Sequence, residues 1–152
     1  MPVIHLTTII NAPIDVVFNL SRDIDLHQTS MQHTSEKAIA GVTSGLINEG
    51  EIVTWKAKHL FAVRIMTVKI TSLIPYTFFK DEMVKGDFKL MKHNHHFKSI
   101  EANITEMKDE FYFESPFGLF GKIFNTLFLT NYMKNLLQKR NEVIKRIAEG
   151  IK

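Results

Sequence analysis

The last third of the chain constrains the rest of it. Ser115-Pro116 opens a run from Phe117 to Ile151 that contains no proline, and its interior glycines, Gly118 and Gly121, fall in the first turns. That pattern predicts one helix of about 30 residues, about 45 Å long at 1.5 Å per residue. In its second half, Leu129, Met133, Leu136, Leu137, Ile144, Ile147 and Ile151 fall on one stripe. Its first half is apolar all round, with Leu119, Phe120, Ile123, Phe124, Leu127 and Phe128 pointing several ways. A rod of this length crosses a whole small domain, and its stripe needs a surface to bury against.

The residues before it supply that surface. Val3 to Ile10 is rich in β-branched residues and reads as a strand ended by Asn11-Ala12-Pro13. A short helix follows from about Pro13 to Ser21, with Asn11 as a candidate cap, and Asp23 opens a second short helix or turn reaching about Met31. Beyond Glu36 the pattern changes to strands: Glu36 to Ala40, Glu51 to His59, Val63 to Leu73, Phe78 to Lys85, Phe88 to Ser99 and Asn103 to Phe113. Their connections are short, which favours antiparallel pairing, because parallel crossovers need a dozen residues or more. The order predicts an α+β chain forming a single domain over residues 1–152. In it a curved antiparallel sheet of six to seven strands wraps around the long C-terminal helix, with two short helices after the first strand.

Composition narrows the function. With 152 residues the chain is large enough for one real core. It has no cysteine, which excludes thiol catalysis, thiolate metal ligation and a disulfide scaffold. Twelve Phe against three Tyr and one Trp enclose a large apolar volume without hydrogen-bonding handles. The net charge of +3 is carried mostly by Lys, with only four Arg, and acidic residues are interleaved throughout, so no nucleic-acid partner is expected. No signal peptide and no continuous apolar span of about 20 residues is evident, so neither export nor stable membrane insertion is expected and the chain reads as cytoplasmic. The pattern sets no oligomeric state.

The stretches NAPIDVVFNLSRDIDLHQTS and ESPFGLFGKIFNTLFLTNYMKNLLQKRNEVIKRIAE, together with GEIVTWKAKHLFAVRIMTVKIT and FFKDEMVKGDFKLMKHNHHF, give the chain a resemblance to the START-like or SRPBCC superfamily. The resemblance covers essentially the whole chain and lies closest to a bacterial subgroup without an assigned role. It implies a helix-grip fold with a hydrophobic cavity between sheet and terminal helix. It implies no single activity, since members bind lipids, hormones or aromatic polyketides and some catalyse.

The candidate site residues follow from strand and helix periodicity. On the Phe88 to Ser99 strand, Met91, His93, His95 and Phe97 share one face; Trp55 and His59 share the inferred inward face of theirs. Two histidines at i, i+2 can act as ligand hydrogen-bonding groups, proton shuttles, metal ligands or satisfied core residues. With no spaced third ligand the metal signal is weak, and neither a metal nor a cofactor is expected. The resemblance to cyclase members, which use cavity acids and histidines, implies Asp81 as the acid that would act with them. Arg140 sits near the middle of the apolar stripe, where an unpaired guanidinium is costly. It must reach past the sheet edge, pair with a carboxylate, or meet an acidic ligand. Arg64 raises the same question. Phe120 and Phe124 are candidates for the cavity entrance. The expected partner is a hydrophobic or lipid-like small molecule. The alternatives are a polyketide cyclase- or dehydratase-like enzyme, for which no fixed catalytic motif is present, and an interaction module built on the Phe-rich start of the helix.

Overall fold

The computed structural model describes residues 2–115 and 128–150. Strand β1 (Val3–Ile10) is followed by helices α1 (Ile14–Ser21) and α2 (Ile24–Ser30) and a 3-10 turn, Gln32–Thr34. Six strands come next: β2 (Lys37–Gly41), β3 (Ile52–His59), β4 (Ala62–Ile74), β5 (Phe78–Lys85), β6 (Leu90–Glu101) and β7 (Ile104–Glu114). Helix α3 (Thr130–Ala148) closes the chain. The seven strands form one antiparallel sheet in the order β1-β7-β6-β5-β4-β3-β2. This is the α+β architecture that the strand and helix periodicities predict.

The helix boundaries differ from expectation at both short and long elements. Pro13, not Asn11, precedes the first turn of α1, and the Asn11 N–H donates to Glu149 Oε2 at 2.8 Å instead. Asp23 caps α2 by accepting from the backbone N–H groups of Asp25 and Leu26. Within the described residues the terminal helix covers Thr130–Ala148, 19 residues, and its predicted first half lies in 116–127, outside the described residues. It stops short of Ile151 because Gly150 turns left-handed at φ 75° and its N–H closes onto the Ile147 carbonyl.

The sheet bends because register slips insert bulges between Ala38 and Ala40, in two places along β4–β5, and between Ser99 and Glu101. At Gly41 (φ 74°) a side chain is impossible, since a Cβ would lie 2.2 Å from the Ile52 carbonyl oxygen. The β3–β4 turn is built differently. Leu60 and Phe61 both hold positive φ, 53° and 66°, and Phe61 is fully exposed.

The concave face carries the core. Phe18 of α1 is 1% exposed and meets the rings of Tyr76, Phe79 and Phe97 edge-on, with centroids 5.1–5.8 Å away. Helix α3 is fixed to β1 at its C-terminal end. There Lys145 Nζ donates to the Ile9 carbonyl at 2.6 Å and to Glu149 Oε2 at 2.9 Å.

Candidate functional site

Pairing across three strands assembles the central cluster. In register, Asp81 of β5 stands beside His93 of β6, and His95 stands between Phe79 of β5 and Asp109 of β7. All four polar residues point to the concave side, under α3, where Arg140 and Asn141 complete the group. His93, His95, Asp109, Arg140 and Asn141 are each buried, with 1–5% of their surface exposed.

Every bond in this cluster constrains another. His93 Nε2 lies 2.8 Å from Asp109 Oδ1, and Asn141 Nδ2 donates to Asp109 Oδ2 at 2.7 Å. Arg140 Nη1 donates to Asp109 Oδ1 at 3.4 Å and to Asn141 Oδ1 at 3.0 Å. Its Nη2 donates to the Ser21 carbonyl at 3.4 Å and meets His95 Nδ1 at 3.3 Å. A guanidinium only donates, so His95 Nδ1 is the acceptor, and the heavy-atom geometry assigns its proton to Nε2. That proton points at Asp81 Oδ1, 3.1 Å away. Asp109 likewise only accepts, which assigns a proton to His93 Nε2 and leaves Nδ1 facing Asp81 Oδ1 at 3.9 Å.

The protonation states follow from the same contacts. Burial pushes the Asp109 carboxyl up, but the His93 bond and the Arg140 charge outweigh it and hold the group well below the usual carboxylate range. Asp81 shows the same contest, with burial opposing and the His95 hydrogen bond prevailing, and is lowered to about 2. Burial, with the neighbouring His93 and Arg140, lowers His95 to about 3 against the pull of Asp81, so its ring is neutral at pH 7. The sequence left three fates open for Arg140. The structure selects pairing with a buried carboxylate.

Asp81, His93 and His95 each place a ligating atom within 4.8 Å of the others, which is the third donor that the His-x-His spacing alone did not supply. The donor chemistry fits a divalent ion poorly. A metal needs the His95 Nε2 lone pair, and Arg140 keeps a proton there.

Two neighbouring chambers lie between the sheet and α3. One, about 150 Å³, borders the cluster through Asp81, His93, His95 and Arg140, with Met91, Phe79 and Phe111 in its walls. The other, about 240 Å³, is lined by Leu60, Ile65, Phe88, Leu129 and Tyr132. They share Glu36, Trp55, His59, Met66, Met133 and Leu136. A broader depression of about 530 Å³ on the opposite face, over β1, β7 and β6, is lined by side chains such as His96 and Glu110 that pair with each other.

Of the residues expected at the site, Trp55, His59, Asp81, Met91, His93, His95 and Arg140 therefore border the cavity. Phe97 does not. It shares the buried face but packs under α1 against Phe18 and Phe79. Phe120 and Phe124 lie outside the described residues, as does most of the Phe-rich segment proposed as an interaction surface; Phe128, 48% exposed, stacks on Tyr132. Arg64 pairs with Asp87 at 2.9 Å and donates to the His59 carbonyl. His59 Nδ1 lies 2.7 Å from the Tyr132 hydroxyl. The sequence reading missed Asp109 and Asn141. Asp109 had a signal, a carboxylate at an inward position between Met107 and Phe111. Among the described residues no helix is long and apolar enough to cross a membrane.

No protein-family profile matches the chain, and no curated protein is significantly similar to it in sequence. Solved structures are similar in fold. Protein TTHA0849 from Thermus thermophilus superposes with a TM-score of 0.73 at 17% identity, covering 94% of this chain and 97% of its own. A START superfamily protein from Mycobacterium smegmatis gives 0.66 at 11% identity over 97% of this chain and 94% of its own. The Zhui aromatase/cyclase from a Streptomyces species gives 0.65 at 13% identity, over 96% and 95%. The chain has a helix-grip, SRPBCC-like fold.

Proposed function

We propose that the protein binds a hydrophobic small molecule between its sheet and α3, as a carrier or sensor. The observation that carries this reading is the pair of chambers with a common wall, mostly apolar and with a fixed polar cluster bordering one of them. That is the usual composition of a small-molecule site, in which apolar surface supplies affinity and a few placed polar groups supply orientation. The fold shared with a START superfamily protein and an aromatase/cyclase is compatible with it. Titration with a neutral solvatochromic dye, and native mass spectrometry of protein purified under mild conditions, test the reading. Saturable dye binding or a co-purifying apolar mass is expected. A protein that takes up no dye and carries no ligand would refute it.

One observation favours a second reading, cyclase- or dehydratase-like proton transfer. Asp109 orients His93 through Nε2, which leaves Nδ1 toward the cavity as a base. A 1,3-diketone probe would then exchange its central hydrogens with solvent deuterium faster in the presence of the protein, and His93→Gln would abolish the acceleration.

A further inference from the structure

Arg140 and the histidines suggest at first a pocket for an acid, yet the guanidinium beside the histidines is already committed. Arg140 spends both terminal nitrogens on Asp109, Asn141, the Ser21 carbonyl and His95. Arg22, the other guanidinium of this chamber, is bonded to Asn19, Asn48 and the Ile47 carbonyl. Arg64, in the second chamber, is bonded to Asp87.

Beside the histidine cluster, what faces the cavity uncommitted is acceptor. Asp81 Oδ1 takes the His95 proton, while Oδ2 carries no hydrogen bond among the described residues, and the side chain retains 20% exposure. His93 Nδ1 is adjacent, with its proton assigned to the far nitrogen. Glu36 borders both chambers, and among the described residues its carboxylate pairs with the His27 ring, at 3.3 Å.

The charge balance of the walls points the same way. Asp23, Glu36, Asp81 and Asp87 border the chambers against Arg22, Arg64 and Arg140, and no lysine does so among the described residues. Asp109 adds a further negative charge directly behind the cluster. The whole chain carries +3, so the cavity has the opposite sign to the protein around it. An apolar enclosure strengthens such a field, because few waters remain to screen it. The aromatic faces of Trp55, Phe79 and Tyr132 in the walls also attract cations.

We propose that the ligand is a hydrophobic amine, whose ammonium group donates to Asp81 Oδ2 beside His93 while its apolar body extends past Trp55 toward Leu129 and Tyr132. This deepens the cavity reading and rests on it. The amine completes what the cluster lacks, a donor carrying positive charge, whereas a carboxylate head in the same place would meet the acceptors Asp81 Oδ2 and His93 Nδ1. A protonated amine also avoids the proton transfer that a divalent ion would require at His95.

The test uses three probes with one apolar body: 4-phenylbutylamine, 4-phenylbutanol and 4-phenylbutyrate. Each is titrated against the intact protein at pH 7.5 by calorimetry and by displacement of the neutral dye. The amine should bind at least about tenfold more tightly than the carboxylate, with the alcohol between them. Asp81→Asn keeps the acceptor for His95 and should bring the three affinities to within about threefold, without losing dye binding. Circular dichroism confirms its fold, and Glu36→Gln serves as a second charge-removing variant, expected to weaken the amine alone. Equal affinities, a tighter carboxylate, or an amine preference that survives both variants would overturn the proposal while leaving the cavity reading intact. Failure to bind even the dye would sink both.

Discussion

The two chambers differ in what holds them together. Around the polar one, Asp81, His93, His95, Asp109, Arg140 and Asn141 bond to one another in one connected network, and each bond fixes a proton or an orientation for the next. Around the apolar one, Leu60, Phe88, Leu129 and Tyr132 supply the larger part of the wall, and its polar contacts are separate ones, His59 to Tyr132 and Arg64 to Asp87. A network of charges tolerates no missing member, because each loss strands a partner away from water. A dispersive wall yields gradually. The first region suits recognition of one chemical group in one place. The second suits a body whose shape varies.

The largest expected effect is on the polar side. Asp109→Ala strands Arg140, His93 and Asn141 and should cost about 3–5 kcal/mol, read as a fall in the urea midpoint. Leu129→Ala, which enlarges a space already present, should cost about 2–3 kcal/mol. Equal losses would erase the distinction between the chambers. Acid comes next. The unfolded chain protonates His95 near 6.5 and the folded one only at about 3, so stability falls as pH drops below 6.5. Asp81, lowered from 3.8 to about 2, adds a loss that begins near pH 4 and is complete below about 2. Melting temperatures should decline from pH 7.5 to 5, and His95→Gln should flatten that limb; an unchanged slope would show that the cluster does not govern it.

Smaller effects are expected where the apolar chamber meets solvent. Leu60→Asn with Phe61→Gly places residues suited to positive φ at the β3–β4 turn and should stabilise the chain by about 1 kcal/mol. Calorimetric melting checks the sign, and destabilisation would mean that the native side chains there contribute more than their strain. Tyr132→Phe removes one partly exposed hydrogen bond from His59 and should cost about 0.5–1 kcal/mol. A loss as large as that of Asp109→Ala would make the apolar wall as interdependent as the network.

Much of the framework was legible because strand and helix periodicities are local. The alternation through Met91, His93, His95 and Phe97 identifies one face, and all four residues are buried in the fold. Which of them reach the cavity was not local. Phe97 lies under α1 because Phe18 occupies that part of the concave face. The partner of Arg140 was equally distant, since Asp109 lies 31 residues earlier and becomes its neighbour only when β7 comes under α3. The order of side chains within a strand follows from sequence alone. The meeting of Asp81, His93 and Asp109 needs three strands in register.

The bonds that tie Lys145 to Ile9 of β1 and Glu149 to Asn11 just after it make the helix a lever. From Lys145 to Thr130 is 15 residues, about 22 Å, so a tilt of about 5° at the fixed end displaces the other by about 2 Å. Arg140, five residues from the pivot, shifts by well under about 1 Å in the same swing. Leu129, Tyr132 and Met133 therefore ride on the long arm and Arg140 on the short one. Such a swing would change the space beside Leu129 and Tyr132 while the bonds of Arg140 to Asp109 and Asn141 hold.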